Sequence, residues 1–124
     1  MSSLNKMNDL RFKDYCHRYS FYLNSLFDYA PLEVTDMLEN KNNVPDLKVM
    51  TKLLKTNQSL EQKAYIKKIQ KFICAFHSIE PDNADIIWSY YFFHLNKRKV
   101  PYQVFNRIRN KNISLILKFI GDDF

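Results

Sequence analysis

One glycine, Gly121, occurs in the 124 residues of this chain, and that scarcity narrows what it can fold into. β-Hairpins reverse direction through Gly, Asn-Gly or Asp-Gly turns that accept positive φ. Without such turns the chain is steered towards helices joined by polar loops. Pro31, Pro45, Pro81 and Pro101 each stand just before a stretch of helical spacing. There a missing N–H costs nothing, because first-turn amides lack intrahelical partners. The predicted fold class is all-α, a bundle of six to seven helices around one core. At 124 residues the chain has the length of a single domain, taken as 1–124. Ten Phe and eight Tyr supply the core.

Spacing places the helices. Phe12, Tyr15, Cys16, Tyr19, Leu23, Leu26 and Phe27 recur at three- and four-residue steps, which predicts a helix over about Asp9 to Tyr29. Leu32, Val34, Met37 and Leu38 predict a short helix after Pro31, and Leu47, Met50, Leu53 and Leu54 another after Pro45. Ser59 with Gln62 three residues on forms a capping-box signature. It opens a helix with Ile66, Ile69, Phe72, Ile73 and Phe76 inside and Lys63, Lys67, Lys68 and Lys71 mostly outside. The segment from about Asp82 to Leu95 is apolar around nearly its whole circumference and is expected to be the central, buried aromatic helix. A helix after Pro101, with Val104, Phe105 and Ile108 inward, and a last one over about Ile113 to Ile120 complete the series. Gly121 is the expected C-terminal cap, with Asp122 and Asp123 as a solvated tail.

Composition bounds the chemistry. The formal charge is +6 and the isoelectric point about 9.3, so anionic partners are favoured. Cys16 and Cys74 are too few for a disulfide framework, and the expected location is the reducing cytoplasm. The start, MSSLNKMNDLRFK, does not read as a targeting peptide. The tract Ile86 to Leu95 is too short to span a membrane, so no membrane association is expected. Phosphate-cradling loops need glycines at set spacings before a helix, and none are present; no nucleotide cofactor is expected. Cys16, His17, Cys74 and His77 offer a two-Cys, two-His set. However, adjacent helical residues point about 100° apart, so no metal site is assigned. His17, His77 and His94 bring no nucleophile–base pair together at helical spacing, and the chain is read as non-enzymatic.

The informative feature is charge segregation. From Asn96 to Gly121 the chain carries Lys97, Arg98, Lys99, Arg107, Arg109, Lys111 and Lys118 and no acid. If the aromatic helix, the basic turn and the helix from Pro101 form a helix-turn-helix, Tyr102, Gln103, Asn106, Arg107 and Asn110 face outward. Arg pairs bidentately with guanine, Asn and Gln pair with adenine, and lysines anchor on phosphates. The candidate nucleic-acid-binding residues are therefore Lys97, Arg98, Lys99, Gln103, Asn106, Arg107, Asn110 and Lys111. A solvated helix face is the alternative. A second basic surface, Lys48, Lys52, Lys55, Lys63, Lys67, Lys68 and Lys71, either extends the footprint or serves solubility.

The tract IIWSYYFFHL, a polar turn and PYQVFNRI resemble the C-terminal part of phage late-gene transcription activators of the ArpU and RinA type. The resemblance covers the last third of the chain and rests on Tyr90, Tyr91 and Phe92 and the spacing of Val104, Phe105 and Ile108. It implies a helix-turn-helix similar to region four of sigma factors, degenerate here and placed at 84–121. In the family the recognition helix is polar and basic, whereas ISLILKFI, Ile113 to Ile120, is apolar and reads as packing or a dimer contact. Three expectations stay open: a lost recognition helix, DNA reading through Pro101 to Asn110, or a role as partner of another protein. The leading expectation is a small regulatory DNA-binding protein of phage or mobile-element origin. The alternative is a non-catalytic module or inhibitor that binds a host or phage protein. A homodimer is expected to be accessible under either.

Overall fold

Neither Gly nor Pro precedes Pro31, so nothing stops a helix from propagating through the first part of the chain. In the computed structural model, which describes residues 2–26, 43–54, 59–96 and 98–124, helix α1 accordingly runs over Ser3–Leu26. It starts earlier than the apolar spacing predicts, and Ser2 Oγ accepts from the Asn5 amide at 3.2 Å as its cap. Its inner face is Phe12, Tyr15, Cys16, Tyr19, Tyr22, Leu23 and Leu26. The expected helix after Pro31, Phe27, Tyr29, Lys55 and Lys97 lie outside the described residues.

Four further helices follow among the described residues: α2 Lys48–Leu54, α3 Leu60–His77, α4 Pro81–Phe93 and α5 Tyr102–Ile120. No strand occurs among them, so the all-α class holds. Among the described residues there are five helices, not the expected six to seven. Four are long, α2 has only seven residues, and the two helices expected after Pro101 are one, α5. Between Pro101 and Gly121 there is no residue that breaks an i→i−4 ladder. In α2 the buried position is Val49, while Leu47 stands exposed; the side chains of Met50, Leu53 and Leu54 lie outside the description.

The centre of the bundle is α3, which packs against each of the other four helices. Its capping box forms as expected, with the Gln62 amide donating to Ser59 Oγ (3.2 Å) and the Ser59 amide to Gln62 Oε1 (2.9 Å). Ile69, Phe72, Ile73, Ala75 and Phe76 are wholly buried. The aromatic helix α4 is not the central one. It buries Ala84, Ile86, Ile87, Trp88 and Ser89, but Tyr90 to Phe93 are only half-buried.

Asp122 and Asp123 are exposed as expected, but the segment that carries them packs against the bundle. Gly121 adopts φ 81°, ψ −169° and turns residues 122–124 back along α1. Tyr15 donates to the Gly121 carbonyl at 2.6 Å, Arg11 pairs with Asp122, and Tyr22 donates to the Phe124 carbonyl. The Phe124 ring is buried against Tyr15, Tyr22 and Phe72, and Lys68 of α3 donates to its carbonyl at 2.6 Å. A Cβ at position 121 would meet nothing within 4 Å, so the whole cost of a side chain there lies in the backbone conformation, a region populated almost only by glycine. Gly121→Ala should lose about 1–3 kcal/mol. Urea unfolding checks this, and unchanged stability would mean that the turn at 121 relaxes freely.

Candidate nucleic-acid interface

A chain with one glycine must place other residues where the backbone turns left-handed. Between α4 and α5 these are His94 (φ 53°) and Lys99 (φ 51°). His94 closes α4, its amide donating to the Tyr90 carbonyl at 3.0 Å and the next amide, Leu95, to Ser89 at 3.3 Å. Asn96 then organises the turn. Its Nδ2 donates to the Val100 carbonyl at 2.8 Å, and its Oδ1 accepts from the Val100 amide at 3.0 Å. Pro101 caps the start of α5.

The rotation of α5 about its axis decides what it shows to solvent. Its buried residues are Phe105, Arg109, Asn112, Ile113, Ile116, Leu117 and Ile120, a single stripe at steps of three and four. Because the helix is continuous, the apolar C-terminal half sets the rotation for the N-terminal half too. This alters the expected inner face. Phe105 is buried, but Val104 and Ile108 are only half-buried, and Arg109 is carried inward to 6% exposure. Ile113 to Ile120 pack into the core, with Leu115 and Phe119 left exposed.

The candidate contact residues fare differently. Gln103, Arg107 and Lys111 are exposed and lie four residues apart, on one outward row of α5. Asn106 and Asn110 are half-buried, and Asn106 Oδ1 is enclosed with no hydrogen-bond partner among the described residues. Lys99 is exposed on the turn. Arg98 is occupied, pairing with Asp82 at 3.0 Å and with Asp85 at 3.4 Å, so its charge is offset by two carboxylates on the first turns of α4. Lys97 lies outside the described residues. Among the described residues no carboxylate pairs with Lys99, Arg107 or Lys111. Lys63, Lys67 and Lys71 make an exposed basic row on α3, whereas Lys68 is engaged by the returning C-terminal residues.

Among the described residues no three His, Cys, Asp or Glu side chains group as metal ligands. His77 is hydrogen-bonded through Nε2 to the Pro45 carbonyl at 2.7 Å. A cleft between α1 and the end of α4 is lined by Lys13, Cys16, His17, Ser20, Tyr90 and His94 among others. Burial pushes the Cys16 thiol well above its ordinary range, which keeps it protonated and a poor nucleophile. No helix among the described residues is long and apolar enough to cross a membrane.

Comparison of the chain with protein-family models, with curated proteins and with solved structures finds no match in any of the three.

Proposed function

We propose that the protein is a small, non-catalytic regulatory protein, of phage or mobile-element origin, that binds duplex DNA through the outer row of α5. The observation that carries this reading is the alignment of Gln103, Arg107 and Lys111, exposed on one helix face, with neither cation in an ion pair among the described residues. Such a row matches the reach of a helix laid in the major groove, with Gln103 and Arg107 towards base edges and Lys111 and Lys99 towards phosphates. Arg98 takes no part in this contact; by holding Asp82 and Asp85 it keeps the turn closed against α4 and their charge away from the DNA.

Fluorescence anisotropy with random and genomic duplexes at several salt concentrations tests the proposal. Non-specific binding with a Kd of about 10⁻⁴–10⁻⁶ M near physiological salt is expected. The double variant Arg107→Ala/Lys111→Ala should bind more weakly and lower the log–log salt slope by up to about two. Absence of salt-dependent binding at low ionic strength would refute it.

A second reading, docking to a protein, is favoured by a different observation. Leu4, Met7 and Leu10, at three-residue steps near the start of α1, are each 66% exposed, an apolar strip of the kind that marks interaction surfaces, including a dimer contact. Capture of a host or phage protein that survives nuclease treatment and is lost on Met7→Glu, but not in Arg107→Ala/Lys111→Ala, would favour that reading over DNA binding.

A further inference from the structure

Arg109 is the one basic side chain that the bundle buries among the described residues. Its Nε is enclosed with no hydrogen-bond partner, and no carboxylate pairs with it among the described residues. The carboxylate of Asp9 is already taken by the Tyr91 hydroxyl and by Lys13 at 3.1 Å. What Arg109 does have is the ring of Phe105, whose centroid lies 5.5 Å from the guanidinium carbon. A cation–π contact of this kind offsets only part of what removing a guanidinium from water costs.

The same side chain lines a slot of about 180 Å³ between the end of α4, the turn and the first turns of α5, together with Tyr90, Asn96, Val100, Tyr102 and Phe105. Tyr102, 75% exposed, stands at the mouth; Phe105 and Arg109, both at 6%, form the floor. The Tyr90 ring forms an aromatic wall, 4.7 Å from the Phe105 ring of the floor. Asn96 is not free to bind, since both ends of its amide hold the Val100 backbone. Among the described residues neither the Tyr90 nor the Tyr102 hydroxyl makes a hydrogen bond within the fold.

We infer that this slot is a binding site for a small aromatic carboxylate, whose ring lies between Tyr90, Val100 and Tyr102 and whose carboxylate meets the Arg109 guanidinium. The floor calls for an anion, because a buried cation without a counter-charge is relieved by one. A carboxylate matches the planar fork of the guanidinium with two parallel hydrogen bonds. The walls call for a flat apolar body, and the volume limits it to roughly one ring, a cavity of about 150 Å³ being enough for benzene. This inference is independent of DNA binding: the slot opens beside the inner stripe of α5, and none of Gln103, Arg107 and Lys111 lines it.

Calorimetric and NMR titration of the full chain with benzoate, and separately with inorganic phosphate, tests the assignment. Saturable benzoate binding is expected, with shifts centred on Tyr90, Val100, Tyr102 and Phe105 and a rise in Tm with occupancy. Phosphate, lacking an apolar body, should bind at least about tenfold more weakly. Arg109→Met should weaken benzoate by about tenfold to a hundredfold yet leave the chain folded, since an apolar side chain of similar length replaces an unpaired charge. No benzoate binding by the wild-type chain, shifts centred elsewhere, undiminished binding by Arg109→Met or equal affinity for phosphate would each overturn it. Should Arg109→Met fail to fold, the location of the wild-type shifts decides.

Discussion

Phe72→Ala is expected to remove about 3–5 kcal/mol of stability, enough to unfold much of the population if the total lies at the lower end of the usual 5–15 kcal/mol. Phe72 is wholly buried at the centre of α3. Its ring contacts Tyr19 at 4.4 Å, Phe76 at 5.3 Å, Phe124 at 5.7 Å, and Trp88 and Phe92 at 6.2 Å each. It therefore touches rings from α1, α3, α4 and the returning C-terminal segment. Truncation leaves a cavity that none of them can fill without giving up another contact, and interiors packed to crystal-like density relax only partly. Phe72→Leu, which keeps most of the volume, should lose distinctly less. Urea unfolding of the three proteins reads both effects. A loss below about 1 kcal/mol for Phe72→Ala would show that the aromatic cluster does not carry the core.

Alkaline solution should unfold the protein steeply. Tyr19 and Cys16 are 3% and 7% exposed, and burial raises both groups above their ordinary values of 10.0 and 9.0. Tyr91 is raised as well, by burial first and then by its hydrogen bond to Asp9. Raised values mean that the folded state holds these protons more tightly than the unfolded chain. Their contribution is fully present below pH 9 and is lost as the pH climbs towards the folded-state values. Each group then removes about 1.4 kcal/mol per pH unit, so Cys16 and Tyr19 together should cost about 3 kcal/mol per unit above pH 10. Tyr91 steepens the same alkaline limb. Tyr19 carries a second signature, because its hydroxyl is enclosed with no hydrogen-bond partner among the described residues. Tyr19→Phe should raise stability at pH 7 by about 1–3 kcal/mol and flatten the alkaline limb. Denaturant midpoints between pH 7 and 11 measure both. A wild-type midpoint constant to pH 11 would contradict the burial of these groups.

The parts of the fold legible in the sequence are those settled within one or two turns of chain. Ser59 and Gln62 are three residues apart and find each other whatever else happens, so the start of α3 was readable. So were its inner face and the positions of Pro81 and Pro101 at helix starts. The helix count was not. The polar run Arg109 to Asn112 separates two apolar patterns in the sequence, yet it contains no breaker and α5 passes through it. Phe105, Arg109, Asn112, Ile113, Ile116 and Ile120 form one stripe along α5, and the inward turn of Arg109 follows from that spacing. For the candidate interface, the absence of acids along α5 was readable directly, and Gln103, Arg107 and Lys111 do stand in solvent. The capture of Arg98 by Asp82 and Asp85 was not, because those acids lie a helix away.

By itself, then, the order of residues determined the helical class, the capping box and the basic character of α5, all consequences of local spacing, backbone propensity and charge. Tertiary structure alone decided that α3 rather than α4 occupies the centre, that the last residues return to α1, and that Arg109 faces a slot instead of solvent. The physical reason is the same in each case: a helix carries its own hydrogen bonds but not its own rotation or depth, and those follow from which apolar surfaces meet across the core.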